Sequence, residues 1–265
     1  MIKSGNILKM RTLLKPEVEY RLPVGNEEIL MNDLVGKSIR MKFLGQINCI
    51  HCGKKTKTSF SQGYCYSCFN TLPQTDISIV HPELDQSHLG ISRDMEWAKE
   101  NSLKPHFVYL ALSSVVKVGV TRFSQIPTRW IDQGASRAIR LAQTPNRHIA
   151  GVMEVALKEH FADKTNWRDM LKNNVDESAD LVAQKRRAVE LLHPELKQYV
   201  TDDDEVVEVN YPVQNYPQKV TSINFDKLQE YQGVLCGIKG QYLIFEDQKV
   251  MNMRRHAGYM IEVEY

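Results

Sequence analysis

Four of the five cysteines in this 265-residue chain form two Cys-x-x-Cys pairs, in the stretch NCIHCGKKTKTSFSQGYCYSCF at residues 48–69. Twelve residues separate the two pairs. Each pair can offer two thiolates from one turn of backbone, and two such pairs can close a tetrahedron around one zinc ion. The spacing therefore predicts a zinc ribbon whose metal ligands are Cys49, Cys52, Cys65 and Cys68.

Paired cysteines can also form disulfides or redox couples. Disulfides persist in oxidising compartments, and a thioredoxin-like couple needs only one Cys-x-x-Cys within a βαβ pattern, which surrounds neither pair. A closed site of four thiolates has no open coordination position, so its zinc would stabilise the fold rather than hydrolyse a substrate. The fifth cysteine, Cys236, stands in the β-like run GVLCGIKG, and we expect it to be a buried apolar residue.

The composition and charge of the chain limit its domain count, its partners and its location. The chain is 42% hydrophobic, which is enough for a core, and its length suits one or two domains. Its 34 Lys and Arg against 32 Asp and Glu leave a net charge of +2, so any nucleic-acid surface must be local. No run approaches the roughly 18 apolar residues of a membrane span, and the first residues lack a signal-peptide pattern. We therefore expect a cytoplasmic protein without a membrane partner.

The segments that would position these residues differ in composition. Strand-like runs punctuated by glycines fill both ends of the chain, whereas helical patterns occur in the middle. The predicted fold class is α+β, and the two β-rich ends could pair into one β domain. The predicted segments are a β-rich end at 1–47, the zinc ribbon at 48–71, a linker with a short helix at 72–105, an α/β domain at 106–195 and a β-rich domain at 196–265.

Within the α/β domain, the apolar runs FVYLAL and VVKVGV predict a β-hairpin, and AIRLA predicts a third strand. Pro127 is suited to open a helix between them, because the first turn needs no N–H from that residue. Asn146 is predicted to cap a helix that runs to about Ala162. The apolar stripe of that helix is predicted to contain Met153, Ala156, Leu157, His160 and Phe161.

Two phrases, FVYLALSSVVKVGVTRFSQIPTRWIDQGA and GVMEVALKEHF, cover the hairpin, the helix after it and the helix after Asn146. Together they resemble the core of the GIY-YIG nuclease superfamily, over residues 107–167. In that family a hairpin carries the two name-giving triplets, an Arg lies on the next helix, and a Glu on a later helix holds a divalent metal. The resemblance implies a GIY-YIG-like α/β domain that cleaves nucleic acid.

The resemblance also implies a site in this chain. Tyr109 occupies the Tyr position of the first triplet, and Lys117 stands in the second triplet where the family usually has Tyr. Arg129 takes the position of the helix Arg, and Glu154 takes that of the metal-binding Glu. By this resemblance the four residues are catalytic, and Glu154 is also a ligand of Mg²⁺ or Mn²⁺.

These residue types suit phosphodiester hydrolysis. Tyr109 could polarise or deprotonate the attacking water, Arg129 could clamp the phosphate, and Glu154 could hold a divalent ion. Lys117 could donate to a phosphate, although an ammonium is not a base at neutral pH. Taken singly, Tyr109 could be a core residue, and Arg129 and Glu154 could form ion pairs on their own helices. The order of the residue types along the chain is what favours a site.

Basic residues are dense on the same segment, which predicts contact with DNA or RNA. These residues are Lys117, Arg122, Arg129, Arg137, Arg140 and Arg147.

The phrases HFVYLALSS, KVGVTR, RWIDQGA, KTNWR and GIKGQYL are similar to those of an uncharacterised bacterial family, domain-of-unknown-function family 2797, over nearly the whole chain. This second resemblance implies relatedness without implying an activity.

The sequence therefore predicts a nucleic-acid-binding zinc protein that acts as a divalent-metal-dependent phosphodiesterase, an endonuclease if it is active. The alternative is a non-catalytic adaptor that uses the same fold to bind RNA, DNA or a ribosomal surface. The presence of Lys117 where the superfamily usually has Tyr favours this alternative. A redox or metallochaperone role for the cysteines is a third hypothesis. The oligomeric state is not predicted.

Overall fold

The computed structural model describes residues 1–162 and 164–265, and its architecture is α+β, as the sequence predicts. The chain divides into two compact units. The first joins Met1–Asn70 to Asn210–Tyr265, and the second is Thr71–Val209. Within the described residues, no helix is both long enough and apolar enough to cross a bilayer.

Most of the strands lie in the first unit. In chain order the strands are β1 (Ile2–Asn6), β2 (Arg11–Leu13), β3 (Glu19–Val24), β4 (Glu27–Leu30), β5 (Ser38–Asn48), β6 (Lys55–Thr56), β7 (His106–Leu112), β8 (Val116–Arg122), β9 (Arg137–Thr144), β10 (Val206–Glu208), β11 (Thr221–Ile223), β12 (Glu230–Lys239), β13 (Tyr242–Phe245), β14 (Lys249–Asn252) and β15 (Tyr259–Glu264).

Most of the helices lie in the second unit. In chain order the helices are α1 (Tyr66–Thr71), α2 (Met95–Asn101), α3 (Thr128–Asp132), α4 (Arg147–Leu157), α5 (Trp167–Leu171), α6 (Leu181–Leu191) and α7 (Pro194–Lys197). Short 3₁₀ turns, which include Pro82–Leu84 and Phe123–Gln125, connect several of these elements.

The main sheet of the first unit contains strands from both ends of the chain. Its order is β1-β15-β5-β12-β13-β14-β11, with β6 added to β5. Strand β5 pairs antiparallel with β15 on one side and with β12 on the other. Its residues Ile39 and Met41 are buried, as the period of two requires of a strand with one face on a core. Strands β2, β3 and β4 form a small separate sheet.

The second unit is built on an antiparallel sheet in the order β10-β9-β7-β8. Strands β7 and β8 form the hairpin that the sequence predicts. Every residue of β7 is buried because both faces of the sheet are covered, which explains its unbroken apolar run. On one face Val108 and Leu110 pack with Met153 of α4. On the other, Tyr109 packs with Trp130 of α3.

Helix α4 begins where the sequence predicts but ends earlier. The Asn146 side chain accepts a hydrogen bond from the Ile149 N–H at 3.0 Å, which confirms the predicted cap. The predicted stripe is wrong at Ala156 and His160, which are exposed. Ala156 precedes the buried Leu157 and is turned away from the sheet. The helix ends at Leu157, before His160. The residues of the helix that are buried are Arg147, Ala150, Gly151, Met153 and Leu157.

The segment predicted as a linker, residues 72–105, is instead a packed part of the second unit. It contains the predicted short helix, α2, and a series of 3₁₀ turns. The turn Pro82–Leu84 packs directly on α4, since a Cβ at Gly151 would lie 2.1 Å from the backbone N of Glu83. The linker prediction is wrong because short 3₁₀ turns rich in proline and polar residues have no periodic pattern, although they bury their backbone against a helix.

The predicted boundary at residue 196 also differs from the structure. Strand β10 pairs antiparallel with β9 and completes the sheet of the second unit. Residues 196–209 therefore belong to the second unit rather than to a C-terminal β domain. Long-range strand pairing of this kind is decided by tertiary packing and leaves no mark on the local sequence.

The Gly151→Ala substitution should destabilise the second unit, because the added Cβ would overlap the backbone of Pro82 and Glu83 and displace their turn from α4. We expect a loss of about 1–3 kcal/mol in the free energy of unfolding, measured by urea denaturation. The control is Val155→Ala on the exposed side of the same helix, which should change that free energy by less than about 0.5 kcal/mol. An unchanged midpoint for Gly151→Ala would contradict the packing.

Candidate functional site

The four paired cysteines of the first unit converge on one point. Their sulfur atoms all lie within 4.8 Å of one another, and Cys52 Sγ and Cys65 Sγ are 3.8 Å apart. Thiolates about 2.3 Å from a tetrahedral zinc lie about 3.8 Å from each other, whereas a disulfide bond is about 2.05 Å long. The cysteines are free thiols, and their arrangement could hold a metal ion.

Local hydrogen bonds shape the turn that presents the first pair. The Gly53 N–H donates to the Cys49 carbonyl at 2.9 Å, and the Asn48 side chain donates to the Gly53 carbonyl at 2.9 Å. Gly53 has a φ of +72°, in the left-handed region that glycine adopts without strain. Of the second pair, Cys68 lies on α1.

Two thiols of the cluster have pKa values that are shifted in opposite directions. Burial raises the pKa of the Cys49 thiol, but hydrogen bonds from backbone amides, including those of Cys52 and Cys65, outweigh burial and lower this pKa to about 6. Burial and hydrogen bonds with the neighbouring thiols raise the pKa of Cys68 to about 12. The Cys49 and Cys68 thiols therefore do not ionise together unaided, and a divalent cation between them would compensate their charge.

The second unit contains a cleft of about 430 Å³ beside strand β8. All four residues that the sequence predicts as catalytic line it, namely Tyr109, Lys117, Arg129 and Glu154. They come from β7, β8, α3 and α4 respectively. The packed segment that was predicted as a linker supplies another wall, through Ile79, Val80, His81 and Pro82.

The position of the Tyr109 ring explains the glycine of the second triplet. Tyr109 is paired across the strands with Gly119, and a Cβ at Gly119 would lie 2.6 Å from the Tyr109 hydroxyl oxygen. That hydroxyl accepts a hydrogen bond from Gln133 Nε2 at 2.7 Å. Burial raises the pKa of Tyr109, although the charge of Arg129 opposes the shift. The phenol therefore keeps its proton near neutral pH, which disfavours a role as a base.

Lys117 is on the same face of β8 as Gly119, since side chains two residues apart in a strand share a face. It is 5% exposed, and its Nζ donates to Thr165 Oγ1 at 2.5 Å. The ammonium is therefore held at the cleft wall by a fixed partner.

Glu154 is a carboxylate in a partly buried position. Burial raises its pKa, the nearby charge of Glu83 adds to the shift, and Lys158 and Arg129 oppose it. Lys158 Nζ lies 3.7 Å from the Glu154 carboxylate. Glu154 follows Gly151 by one helical turn, so the close approach of Glu83 to Gly151 brings the two carboxylates near each other.

The two carboxylate oxygens of Glu83 differ in their hydrogen bonding. Its Oε1 lies 3.2 Å from His81 Nδ1, whereas its Oε2 is buried and has no hydrogen-bond partner among the described residues. A buried carboxylate oxygen without a partner is costly, and the nearby charge of Glu154 adds to that cost.

The cleft is cationic overall. Of the described residues that line it, one is a carboxylate, Glu154, and five are cations, namely Lys117, Arg129, Arg147, Lys158 and Lys164. Burial lowers the pKa of Arg147, whose Nε is buried 3.9 Å from Asp85. A lining of this kind attracts anions, and phosphate groups in particular.

The basic residues predicted to bind nucleic acid do not all meet at this cleft. Lys117, Arg129 and Arg147 line it. Arg137 lies elsewhere and bonds to the carbonyl of Glu177, and Arg140 forms an ion pair with Asp203. The last of the set, Arg122, lines a separate pocket.

The structure adds residues that sequence reasoning missed. From its sequence position four residues on, each of Lys158 and Gln133 is expected only as a partner of Glu154 or Arg129 on the same helix, and the structure shows that both also line the cleft. His81 lines the cleft and Glu83 lies near Glu154. Neither had a comparable signal in the sequence, because both are positioned only by the packing of the turn Pro82–Leu84 on Gly151.

The sequence pattern of one protein family, described as protein of unknown function (DUF2797), matches residues 36–261. The chain belongs to the DUF2797 family. The match includes the four clustered cysteines and every residue named at the cleft. No curated protein and no solved structure matches the chain.

Ionisation of Glu154 at neutral pH should lower the free energy of unfolding of this DUF2797 protein. Because its pKa is raised in the folded state, the folded protein holds a proton that the unfolded chain releases, and stability falls as the pH rises from the ordinary pKa of 4.5 through the folded value. Glu154→Gln should remove this loss. Its stability relative to the wild type, from urea titrations at pH 4 to 8, should increase with pH and then level off. A difference that does not vary with pH would contradict the shift.

Proposed function

We propose that the chain binds nucleic acid and hydrolyses phosphodiester bonds in the cleft of the second unit, with the help of a divalent cation. The observation that carries the proposal is that Tyr109, Arg129 and Glu154, from one strand and two helices, line the same cleft. The cationic lining of that cleft suits a phosphodiester anion.

The residue types at the cleft suit the separate parts of the hydrolysis. Arg129 and Lys117 would bind the non-bridging oxygens of the phosphate, and Tyr109 would donate a hydrogen bond to one of them. Water would attack phosphorus while the bond to the leaving oxygen breaks. His81 at the cleft wall would take the proton from the attacking water, and the leaving oxygen would take a proton from solvent. This assignment moves the role of the base away from Tyr109, whose raised pKa disfavours it.

Glu154 and Glu83 are the residues that would hold Mg²⁺ or Mn²⁺. The proposal is supported by their proximity and by the buried Oε2 of Glu83, which has no partner in the described chain. The bound ion would neutralise charge on the phosphate.

The cysteine cluster would hold a structural zinc ion. Four thiolates in a tetrahedron are the ligand set that zinc prefers, and they leave no position open for a substrate. The expected contribution of such a site is to the stability of the first unit.

A second candidate function is a non-catalytic adaptor that binds DNA or RNA in the same cleft. It is favoured by Lys117, because its ammonium donates to Thr165 and cannot replace a phenol as a base at neutral pH. Such a cleft would bind phosphates without cleaving them.

The purified protein should contain about one zinc per chain, measured by mass spectrometry of the metal. Cys49→Ser should lose the metal and lower the free energy of unfolding by several kcal/mol, because metal binding is coupled to folding. Cys236→Ser is the matched control, since Cys236 is a buried thiol outside the cluster, and it should keep the zinc. If the metal-free wild type melts at the same temperature as the zinc-loaded wild type, the structural zinc is refuted.

Cleavage should require Mg²⁺ or Mn²⁺, and Glu154→Ala should abolish it while binding of the nucleic acid remains. Arg129→Ala should lower the cleavage rate about 10²- to 10³-fold, because it removes a cation from the phosphate. Arg137→Ala, at a position outside the cleft, is the control and should cleave normally. The assay is gel analysis of labelled single strands, duplexes and branched substrates of DNA and RNA.

The same panel separates the two candidate functions. Products from the wild type that Glu154→Ala does not form support hydrolysis. Salt-sensitive binding that Arg129→Ala weakens, with no products from any substrate, rejects hydrolysis and supports the adaptor. Absence of binding to every nucleic acid would reject both.

A further inference from the structure

A second pocket of the second unit, of about 360 Å³, lies at the end of strand β8. It is lined by Arg122 and Phe123, with Lys104, Pro105 and Gln143 among the other residues. Phe123 is 57% exposed, so one face of its ring is open to a ligand in this pocket.

The Phe123 ring is the outer member of a stack. Its centroid lies 5.3 Å from that of Phe107, at an interplanar angle of 30°. Phe107 is buried, and the guanidinium of Arg140 lies over its ring at 5.7 Å. The stack is thus supported from within, and the exposed Phe123 is at the end where a further flat ring could be added.

The aromatic stack is on the same face of the sheet as Tyr109 of the cleft. Phe107 and Tyr109 are two residues apart on β7 and therefore share a face. Gly119 beside the Tyr109 hydroxyl and Phe123 are four residues apart, at most about 13 Å along an extended chain, which equals the length of about four stacked nucleotides. A strand with a phosphate in the cleft could reach the pocket.

The charge beside the ring suits a nucleotide. Arg122 donates one hydrogen bond to Asn101 and forms no ion pair with the described residues, so most of its five donors are available to a phosphate. The other cation, Lys104, lies 3.5 Å from Glu100 and is partly neutralised. An aromatic face beside an arginine is how proteins bind unpaired nucleotides without sequence preference.

We infer that Phe123 and Arg122 form a stacking subsite for an unpaired nucleotide of the strand whose phosphate binds in the cleft. This inference rests on the proposed function and specifies its substrate as nucleic acid with a single-stranded segment next to the scissile bond. Phe123 supplies the stacking surface, and Arg122 binds the phosphate of the same nucleotide.

The test measures binding of a labelled 16-nucleotide single strand by fluorescence anisotropy, with every variant made in the full chain carrying Glu154→Gln. Phe123→Ala and Phe123→Leu should each weaken binding about 5- to 100-fold, the usual effect of losing one base stack. Phe123→Leu keeps an apolar cover over Phe107, so it reports on stacking even if Phe123→Ala is unstable. Phe123→Trp should bind within twofold of the parent, and so should the control Val115→Ala, at an exposed apolar residue that lines neither pocket.

Two further measurements identify the interaction. Phe123→Leu should leave the salt dependence of binding unchanged, whereas Arg122→Ala should reduce its slope by about 0.7, the share of one phosphate contact on a single strand. A blunt duplex of the same sequence should bind Phe123→Leu as well as the parent.

Single-strand binding by Phe123→Leu within twofold of the parent, while Arg129→Ala still weakens binding, would overturn the stacking subsite and leave the cleft proposal intact. If the parent protein binds no strand, the proposed function fails and this inference fails with it. Equal weakening of single-strand and duplex binding by Phe123→Leu would also overturn it.

Discussion

The contact between the turn Pro82–Leu84 and helix α4 at Gly151 is the constraint on which the cleft depends. Because Gly151 has no side chain, the backbone of Glu83 can lie against the helix. This approach brings His81 to the cleft wall and Glu83 close to Glu154. Without it, Tyr109, Arg129 and Glu154 would line a groove with one side missing.

A second close approach sets the other side of the cleft. Tyr109 lies over Gly119 on the neighbouring strand, with Gln133 bonded to its hydroxyl. Both approaches use a glycine because a Cβ at either position would overlap a neighbouring atom. The ring and the carboxylates are thus positioned by packing rather than by flexible loops, which favours a preorganised site.

The cleft holds groups that oppose stability. Burial raises the pKa of Glu154 and lowers that of Arg147, which means that each charged form is held in surroundings that disfavour it. Clefts that bind anions and metals concentrate such groups. The cysteine cluster of the first unit is different. Four thiolates around one metal ion would leave no coordination position for a substrate, and the role of the cluster in the proposal is to stabilise a segment with few strands of its own.

The sequence by itself determined the features that depend on local spacing. The two Cys-x-x-Cys pairs, the cap at Asn146 and the hairpin β7–β8 follow from short stretches whose geometry is set by neighbouring residues. The grouping of Tyr109, Lys117, Arg129 and Glu154 is an expectation from a family resemblance, and only the folded chain brings these residues to one cleft. Only the tertiary structure decided which distant segments meet. It placed strands from both ends in one sheet, packed residues 72–105 onto α4, and paired Arg140 with Asp203 away from the cleft. Those outcomes depend on free energy gained between residues far apart in the chain, and no local pattern records that gain.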